Sequence, residues 1–417
     1  MYGTVHNMGA DHDVIVVGAS LAGCATAKLL AEDGARVALV EKAPDPGHHK
    51  KVCGHFIQAS AVPTFERLGV LGAMREAGAI DSRSRLHTRF GVISSDRVPA
   101  SLNLRREKLD PIVRAAAAET AGVELMLGET VTGLLEGGGV RLRDGRELRA
   151  PLVVGADGRD SKVAALAGLE GKTFEHGRFS YGAYYEGPPP EGAPDGTIWL
   201  LDPAWVAAFP TDDGLTLYAV MLTHDELPKF KGDLAGALER YVASVPDAPP
   251  ILESTRVSEM VGKVKMPNRM RRPVGERIAL VGDAALATDP VWGVDCGWAV
   301  QTGEWLSDAL APWVRGEQPL SRSLRRYKRT YTRRLAPHAK MIHDYAGGRE
   351  FNGMEKRLYA AAAHDPVLAE RMGRIGVRMD SPLSIMRPST IARIARGGKR
   401  VKESYSSTTR TSPSLTA

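Results

Sequence analysis

The first forty residues alternate apolar runs with an amphipathic segment, as in a strand–helix–strand unit. Residues 13–17 are an apolar run, residues 21–33 repeat apolar and small side chains at helical spacing, and residues 36–41 are a second apolar run. Gly34 stands where such a helix would end. The pattern predicts two parallel strands joined by a helix, with residues 18–23 as the turn between the first strand and the helix.

Apolar runs of the same kind recur further along the chain. Residues 152–156 lead into an Asp-Gly pair, and residues 278–281 lead into a Gly-Asp pair. Between them, residues 170–270 alternate apolar and polar positions and are rich in aromatics. This predicts an antiparallel sheet. Residues 320–385 have a mainly helical pattern.

Composition and charge exclude several classes of protein. The 417 residues include 43% apolar and 25% charged side chains, which is ordinary for a globular chain with a large core. The net charge of +6 resides in residues 387–417, which hold seven Lys or Arg and one Glu, so the rest is balanced. No nucleic-acid partner is therefore expected. The tail is interpreted as a solvated terminus. The alternative is a short helix on an anionic surface, which Gly397 and Gly398 would interrupt.

The chain shows no sign of export or of a membrane span. The first residues lack the basic-then-apolar order of a signal peptide, and no apolar run is long enough to span a bilayer. Cys24, Cys53 and Cys296 are too few and too scattered for a disulfide framework or a metal site. We expect a cytoplasmic protein without a bound metal. The alternative to a freely cytoplasmic protein is weak peripheral contact with a membrane through the basic tail.

The turn at residues 18–23 (GASLAG) has the chemistry of a dinucleotide site. Its glycines allow backbone N–H groups at a helix N-terminus to approach a diphosphate. Glu41 ends the second strand about 20 residues on, where an acid accepts hydrogen bonds from ribose hydroxyls. Ser20 replaces the middle glycine of the usual pattern with another small residue. The structural alternative is a Gly-containing turn between any strand and helix.

Three segments of the chain resemble the three motifs of the single-component FAD-dependent monooxygenases. They are the turn at residues 18–23, residues 152–164 (LVVGADGRDSKVA) and residues 278–290 (IALVGDAALATDP). That superfamily is similar to para-hydroxybenzoate hydroxylase in fold and includes geranylgeranyl reductases and flavin halogenases. The resemblance covers residues 10–315. It implies an α/β (α+β) fold: a Rossmann-like FAD-binding domain, an inserted antiparallel-sheet substrate domain and a helical C-terminal region.

The resemblance also implies domain boundaries. The FAD-binding domain would take residues 10–82, 104–168 and 272–315, and the substrate domain residues 83–103 and 169–271. Residues 316–386 would form the helical region. Residues 387–417 would form a basic tail, disordered from about Glu403.

Most of the residues that the family uses for the cofactor have a counterpart in this chain. The resemblance implies FAD contacts at Gly18, Ser20, Ala22, Gly23, Glu41, Lys42, Arg106, Val131, Asp157, Gly158, Gly282, Asp283, Pro290 and Gly293. Within this set, the turn glycines and Ser20 would hold the diphosphate, and Val131 would reach adenine through its backbone. The resemblance further implies that Asp157 and Gly158 contact the nicotinamide. Ala164 stands where the family usually has Arg, and this departure weakens the implied nicotinamide contact.

Three residues are candidates for catalysis: His55, Trp292 and Asp295. Asp295 occupies a position where relatives have Gly, and it is interpreted either as the N-cap of a helix starting at Cys296 or as a group for proton transfer. Trp292 is interpreted as a pocket wall or as a buried aromatic. His55 follows Cys53 and Gly54 in a loop that resembles the geranylgeranyl-reductase branch, and its alternative is a packed histidine.

The remaining candidates are charged and aromatic. Lys50 and Lys51 would attract the phosphates of NADPH or belong to a solvated loop. Aromatics of the predicted sheet would line the substrate pocket or face the helices behind it; they are Tyr181, Tyr184, Trp199 and Trp205.

The implied activity is that of an NAD(P)H-dependent FAD monooxygenase. It would hydroxylate or epoxidise a hydrophobic or aromatic small molecule of specialised metabolism with molecular oxygen, through a flavin C4a-hydroperoxide. The cofactor carries such chemistry, so the lack of a catalytic triad fits. The alternatives are a geranylgeranyl-reductase-like reductase or dehydrogenase of carbon–carbon double bonds, a flavin halogenase, and a flavin-free NAD-binding regulator.

Overall fold

The structure is a computed structural model that describes residues 11–51 and 55–404. Its contacts divide the chain into two units, each built from three segments. Unit 1 comprises Met1–Ala79, Leu104–Glu175 and Pro267–His343. Unit 2 comprises Ile80–Asn103, His176–Met266 and Asp344–Ala417. Every cofactor and catalytic residue proposed from the sequence falls in unit 1.

The α-helices of the described residues occur in both units. They are α1 (Leu21–Glu32), α2 (Val62–Arg67), α3 (Leu71–Glu76), α4 (Arg106–Ala118), α5 (Lys162–Leu166), α6 (Leu234–Ala243), α7 (Asp295–Val314), α8 (Leu320–Ala346), α9 (Gly353–Ala362), α10 (Pro366–Gly376) and α11 (Pro388–Ser404).

The strands are short, and most belong to two large sheets. They are β1 (Val14–Val17), β2 (Val37–Glu41), β3 (Phe56–Ile57), β4 (Ile80–Ser82), β5 (Ser84–Thr88), β6 (Gly91–Ile93), β7 (Ser101–Asn103), β8 (Val123–Leu127), β9 (Val131–Leu134), β10 (Val140–Leu142), β11 (Glu147–Leu148), β12 (Leu152–Gly155), β13 (Lys172–Phe174), β14 (Arg178–Glu186), β15 (Gly196–Leu200), β16 (Trp205–Pro210), β17 (Thr216–Thr223), β18 (Thr255–Arg256), β19 (Val261–Lys263), β20 (Asn268–Met270), β21 (Ile278–Leu280) and β22 (Leu286–Ala287).

Unit 1 is built on a five-stranded parallel sheet in the order β21-β12-β1-β2-β8. Strands β1, β2 and β12 are buried along their whole length, as expected where helices cover both faces of a parallel sheet. The turn, the Asp-Gly pair and the Gly-Asp pair follow β1, β12 and β21, three adjacent strands. Parallel strands end at the same edge, so the three motifs meet there.

Helices α1 and α7 pack unusually closely in unit 1. A Cβ on Gly303 of α7 would lie 2.7 Å from the Thr26 hydroxyl and 2.9 Å from the Ala22 carbonyl of α1. The Thr302 hydroxyl accepts a 2.8 Å hydrogen bond from the backbone N–H of Gly282. Close packing of small residues therefore holds the third motif against α1.

Unit 2 contains the larger sheet, in the order β18-β14-β17-β16-β15-β5-β6 with β19 also paired to β14. All its pairs are antiparallel except β5 with β15. The mixed α/β fold with a parallel sheet, a mainly antiparallel sheet and C-terminal helices confirms the predicted fold class.

The two faces of the unit 2 sheet differ. One face carries Val206, Tyr218 and Val220, which are 0% exposed and belong to the core built with α6. The opposite face, here called the open face, is also apolar but retains a little accessible surface, such as 9% at Ile198 and 8% at Ala219. The core of unit 2 thus occupies only one side of its sheet.

Of the sequence-predicted pocket aromatics, Trp199 belongs to the core of unit 2, whereas Trp205 lies on the same face of β16 as Ala207, which is the open face. Trp199 is 3% exposed in the core, and its indole N–H donates to the carbonyl of Pro246 at 2.8 Å. Trp205 is 5% exposed and donates to the Tyr345 hydroxyl at 3.2 Å. Tyr181 stacks on Phe230 at 6.0 Å between ring centroids.

The C-terminal segment differs from the sequence prediction. Where a tail was expected, residues 388–404 form α11, which packs against α9. The helix continues through Gly397. A Cβ on Gly397 would lie 2.7 Å from the Ala361 side chain, so the lack of a side chain at this position lets α11 approach α9 closely. The predicted disorder after residue 404 lies outside the described residues. Within the described chain, no helix combines the length and apolarity needed to span a bilayer.

Candidate functional site

The turn between β1 and α1 has a backbone that a side chain would disrupt. Gly18 has φ +105°, and a Cβ there would lie 2.5 Å from the carbonyl oxygen of Ala156. A Cβ on Gly23 would lie 1.8 Å from the Gly18 carbonyl oxygen. Both glycines are therefore required by the close approach of the turn to β12 and to α1.

Glu41 supports this turn from the end of β2. Its carboxylate accepts hydrogen bonds from the backbone N–H of Ala19 at 2.8 Å and of Ala43 at 2.9 Å. The neighbouring Lys42 is exposed. The chain before Val131 runs beside this strand end, since the Glu129 N–H donates to the Glu41 carbonyl at 2.9 Å. The structure thus brings the two proposed adenosine-side positions, Glu41 and Val131, into one neighbourhood.

Arg106 connects three separate parts of the site. It forms a bidentate pair with Asp110, with N–O distances of 2.6 and 2.9 Å, and donates to the Ser20 hydroxyl at 3.0 Å. It also lies 3.8 Å from the sulfur of buried Cys296. Arg106 is 5% exposed and Asp110 is 1% exposed. The serine that replaces the usual glycine therefore serves as an acceptor for this guanidinium.

A second arginine on α4 was missed from the sequence. Arg114 is 2% exposed and donates to the carbonyls of Ala19 at 2.9 Å and His48 at 2.7 Å, and also to that of Pro46. It therefore ties the turn to the loop after β2. The sequence signal was its position eight residues after Arg106, which is on the same side of a helix.

The loop after β2 also carries a cation toward the third motif. Lys50 pairs with Asp283 at 2.8 Å, and its backbone N–H donates to Asp110 at 3.1 Å. Burial alone would raise the pKa of Asp283, but the charge and hydrogen bond of Lys50 outweigh it, with further attraction from Arg159 and Arg106, so the pKa lies below its usual range. Asp283 therefore remains ionised at neutral pH.

The second motif is used to start helix α5. The Asp157 carboxylate accepts hydrogen bonds from the Ser161 hydroxyl and, at 2.9 Å, from the Val163 N–H. Ser161 in turn caps the helix by accepting from the Ala164 N–H at 3.0 Å. Gly158 follows Asp157 with φ +84°. The side chain of Asp157 therefore shapes the loop in which Gly158 presents its backbone.

Arg159, in the same loop, was also missed from the sequence. It donates to the carbonyls of Pro267 at 2.8 Å and Thr288 at 2.6 Å. Arg271 donates to the Arg159 carbonyl at 2.7 Å and to the Ala284 carbonyl at 3.0 Å. These two arginines join the second motif to the third.

The segment after Asp283 forms a tight loop before α7. Asp289 accepts from the Val291 N–H at 2.8 Å and so caps a short turn that begins at Pro290. Gly293 ends that turn with φ +58°, and a Cβ on it would lie 2.8 Å from the Phe56 ring. Gly293 thus places backbone without a side chain just before the start of α7.

The predicted N-cap role of Asp295 is wrong. Helix α7 begins at Asp295 itself, Val294 occupies the N-cap, and Asp295 accepts a 3.1 Å hydrogen bond from the Thr288 hydroxyl. The short turn just before α7 has its own cap, and that cap is Asp289. Asp295 is therefore the first residue of α7, and its side chain is bonded to the loop that precedes the helix.

The other two catalytic candidates are held in place by the chain. Trp292 is half-buried, and its carbonyl accepts from the Gln58 side chain at 3.0 Å. His55 is 0% exposed, and its carbonyl accepts from the Leu104 N–H at 3.2 Å. Cys53 and Gly54 lie outside the described residues.

These features fit the diphosphate and ribityl groups of FAD. The N-cap residue of α1, Ser20, makes no side-chain hydrogen bond to the first turn of the helix, and its hydroxyl accepts from Arg106. The N–H groups of such a turn and a nearby guanidinium are the usual partners of a diphosphate. An ionised Asp283 supplies an acceptor for hydroxyl groups. The residues present therefore fit FAD.

Comparison with known proteins gives the same answer. A protein-family model described as "FAD binding domain" matches residues 11–344. The chain is 26% identical to digeranylgeranylglycerophospholipid reductase of Methanothrix thermoacetophila over 78% of this chain and 85% of the relative. It is also 26% identical to squalene epoxidase 3 of Arabidopsis thaliana over 81% of this chain and 67% of the relative.

A solved structure shares the fold. The flavoprotein/dehydrogenase from Cytophaga hutchinsonii superposes with a TM-score of 0.78 at 15% identity, over 94% of this chain and 99% of that chain. The three motifs, the uncapped turn and the family match lead to one assignment. The chain belongs to the family of FAD-binding-domain proteins and is an FAD-dependent oxidoreductase.

Proposed function

We propose that the protein is an NAD(P)H-dependent FAD monooxygenase that hydroxylates or epoxidises a hydrophobic or aromatic small molecule. The open face of the unit 2 sheet is the observation that carries the substrate class. Squalene epoxidase 3, which is similar over most of this chain, supports the oxygenation of an apolar molecule.

The open face has the composition of an apolar binding surface. Along β14, β16 and β17, the paired positions Gly182, Ala207 and Ala219 place the smallest side chains next to one another. Ile198 and Leu217 flank them and are 9% and 7% exposed. Small residues in the middle of a sheet leave room above it, and apolar walls favour an apolar ligand.

The burial of His55 and the hydrogen bonding of Asp295 favour oxygenation of a substrate over reduction of its double bond. Reduction needs an acid that delivers a proton to substrate carbon. Of the described candidates, His55 is fully buried and Asp295 accepts from Thr288. Oxygenation places fewer demands on side chains, because bound FAD supplies the activation of oxygen.

The chain's own residues then bind, orient and exclude water. Gly293 and the turn beside it present backbone to a bound ring, and the N-terminus of α7, which begins after Val294, favours negative charge nearby. Arg106 and Asp283 hold the polar arm of FAD. Phe56 and Val291 contribute apolar cover at the same loop.

A double-bond reductase is the second candidate function. The observation that favours it is the similarity to digeranylgeranylglycerophospholipid reductase, which extends over 85% of that relative. The loop that carries Cys53 would supply the proton donor in this case. A flavin halogenase remains a third expectation from the sequence.

An isotope experiment separates these functions. The FAD-loaded protein is mixed with NADPH or NADH and with squalene, a geranylgeranyl phospholipid or a set of polycyclic aromatics, under oxygen labelled with ¹⁸O and separately without oxygen. A product with one labelled oxygen atom supports the monooxygenase. A reduced product formed without oxygen supports the reductase and overturns our proposal.

A further inference from the structure

A cleft of about 280 Å³ lies in unit 1 between the second half of α7 and the middle of α8. It is separate from the FAD site, because Trp305 follows the start of α7 by ten residues, or about 15 Å of helix. The residues that line it are Trp305, Asp308, Ala309, Arg326, Arg329, Thr330, Arg333 and Arg334. With four arginines and one aspartate, its walls carry a formal charge of +3.

The arginines of this cleft are not neutralised by the chain. Arg326, Arg329 and Arg333 are exposed on successive turns of one side of α8, and none forms an ion pair with another described residue. The aspartate of the cleft, Asp308, already pairs with Arg67 at 2.8 Å. Arginines four residues apart on a helix repel one another, so the helix carries unfavourable charge repulsion that a bound anion would remove.

The fourth arginine is held by an aromatic ring. The guanidinium of Arg334 lies 4.9 Å from the centre of the Trp305 ring. Trp305 is 6% exposed, so its position is set by the core of unit 1. A cation–π contact of this kind orders the guanidinium before any ligand arrives and leaves its N–H groups for other partners.

We propose that this cleft binds a phosphate group, either in a soluble phosphate ester or in a lipid headgroup. Planar guanidinium forks match the oxygens of a phosphate in bidentate geometry, and several forks around one concave surface favour an anion with two charges and several oxygens. A carboxylate, with two oxygens and one charge, would satisfy only one of these guanidinium forks. The site would tether a phosphorylated molecule at a distance from the flavin.

The test uses full-length protein loaded with FAD, so that the diphosphate site at α1 is filled. Inorganic pyrophosphate is titrated by calorimetry at constant ionic strength set with NaCl. The variant R329Q/R333Q removes two guanidiniums of the cleft. The matched control R325Q/K328Q removes the same charge from exposed residues of α8 that do not line it.

We expect pyrophosphate to bind about tenfold more weakly to R329Q/R333Q than to the wild type, because charge-assisted hydrogen bonds are lost, and to change less than about twofold in R325Q/K328Q. Equal weakening in both variants would show long-range attraction instead of a site. Absence of binding by the wild type to both pyrophosphate and the vesicles below would also overturn the proposal.

Vesicles distinguish the source of the phosphate. Phosphatidylcholine vesicles with and without phosphatidic acid are sedimented with each protein. Sedimentation that requires phosphatidic acid and is lost in R329Q/R333Q identifies a lipid headgroup. Pyrophosphate binding without sedimentation identifies a soluble phosphate ester.

Discussion

The sheets of the two units bury similar apolar strands but provide function in different ways. In unit 1 the parallel strands are covered by helices, and the chemistry lies in charged loops at their carboxyl ends, where Arg106, Lys50 and Asp283 form one network. In unit 2 the site that we propose lies on a sheet face, where the small residues Gly182 and Ala219 are paired. The first site depends on the placement of charges, and the proposed second site depends on small side chains.

The largest expected effect would come from the charged network. Arg106→Leu leaves the Asp110 carboxylate buried without its bidentate partner. We expect the free energy of unfolding to fall by about 3–5 kcal/mol, as for other broken buried pairs. Urea unfolding measures this change, and the FAD released on denaturation measures cofactor content.

A double variant separates stability from binding in this network. Arg106→Leu with Asp110→Leu removes both charges, so most of the lost stability should return. FAD affinity should stay low, because the guanidinium beside the turn is still missing. If the double variant bound FAD as tightly as the wild type, Arg106 and Asp110 would serve folding only. The contrast drawn above between unit 1 and unit 2 would then be wrong for unit 1.

The two faces of the unit 2 sheet can be tested on a single strand. Leu222 and Leu217 of β17 point to the core face and the open face, respectively. Leu222→Ala should lower the free energy of unfolding by about 2–5 kcal/mol through a core cavity. Leu217→Ala should cost less, because it already borders accessible space. Equal losses in urea unfolding would mean that the open face is a second core.

The smallest expected effect concerns pH. In the wild type, Lys50 holds the pKa of Asp283 below its usual range against the effect of burial. The ionised network is therefore stable above that pKa and is lost as the pH falls through it. Lys50→Met removes the largest attraction that opposes burial, so the pKa of Asp283, and with it the pH midpoint of FAD release, should rise. Flavin fluorescence during an acid titration measures the midpoint.

Lys51→Met provides the control for this titration. Lys51 is exposed and adjacent in sequence, so it changes the net charge without touching Asp283. Its midpoint should match that of the wild type. A midpoint that moves equally in both variants would assign the effect to overall charge.

Local patterns in the sequence predicted the fold and the strands that the three motifs follow. Residues 13–41 fold as β1, α1 and β2 because apolar spacing and turn glycines act within a few residues of one another. The Gly-Asp pair at Gly282 follows β21 for the same reason. The strand order brought these motifs together, and parallel topology made that outcome predictable.

The partners of the charged residues could not be predicted in this way. Arg114 and Arg159 bond to backbone carbonyls that are far away in sequence, and no local pattern identifies such acceptors. The error at Asp295 has a related cause. Its position before a helix favoured a cap, but the preceding loop turned its side chain toward Thr288.

The contacts of Arg106 with residues far away in sequence also determine when the cofactor site can be completed during synthesis. Its partner Ser20 lies 86 residues earlier in the chain, and Cys296 lies 190 residues later. Strand β21, at one edge of the parallel sheet, likewise comes from residues 278–280. During synthesis, which proceeds from the N-terminus, the cofactor site cannot be complete until most of the chain has left the ribosome. We therefore expect FAD to bind late in synthesis, once the last of these segments has folded.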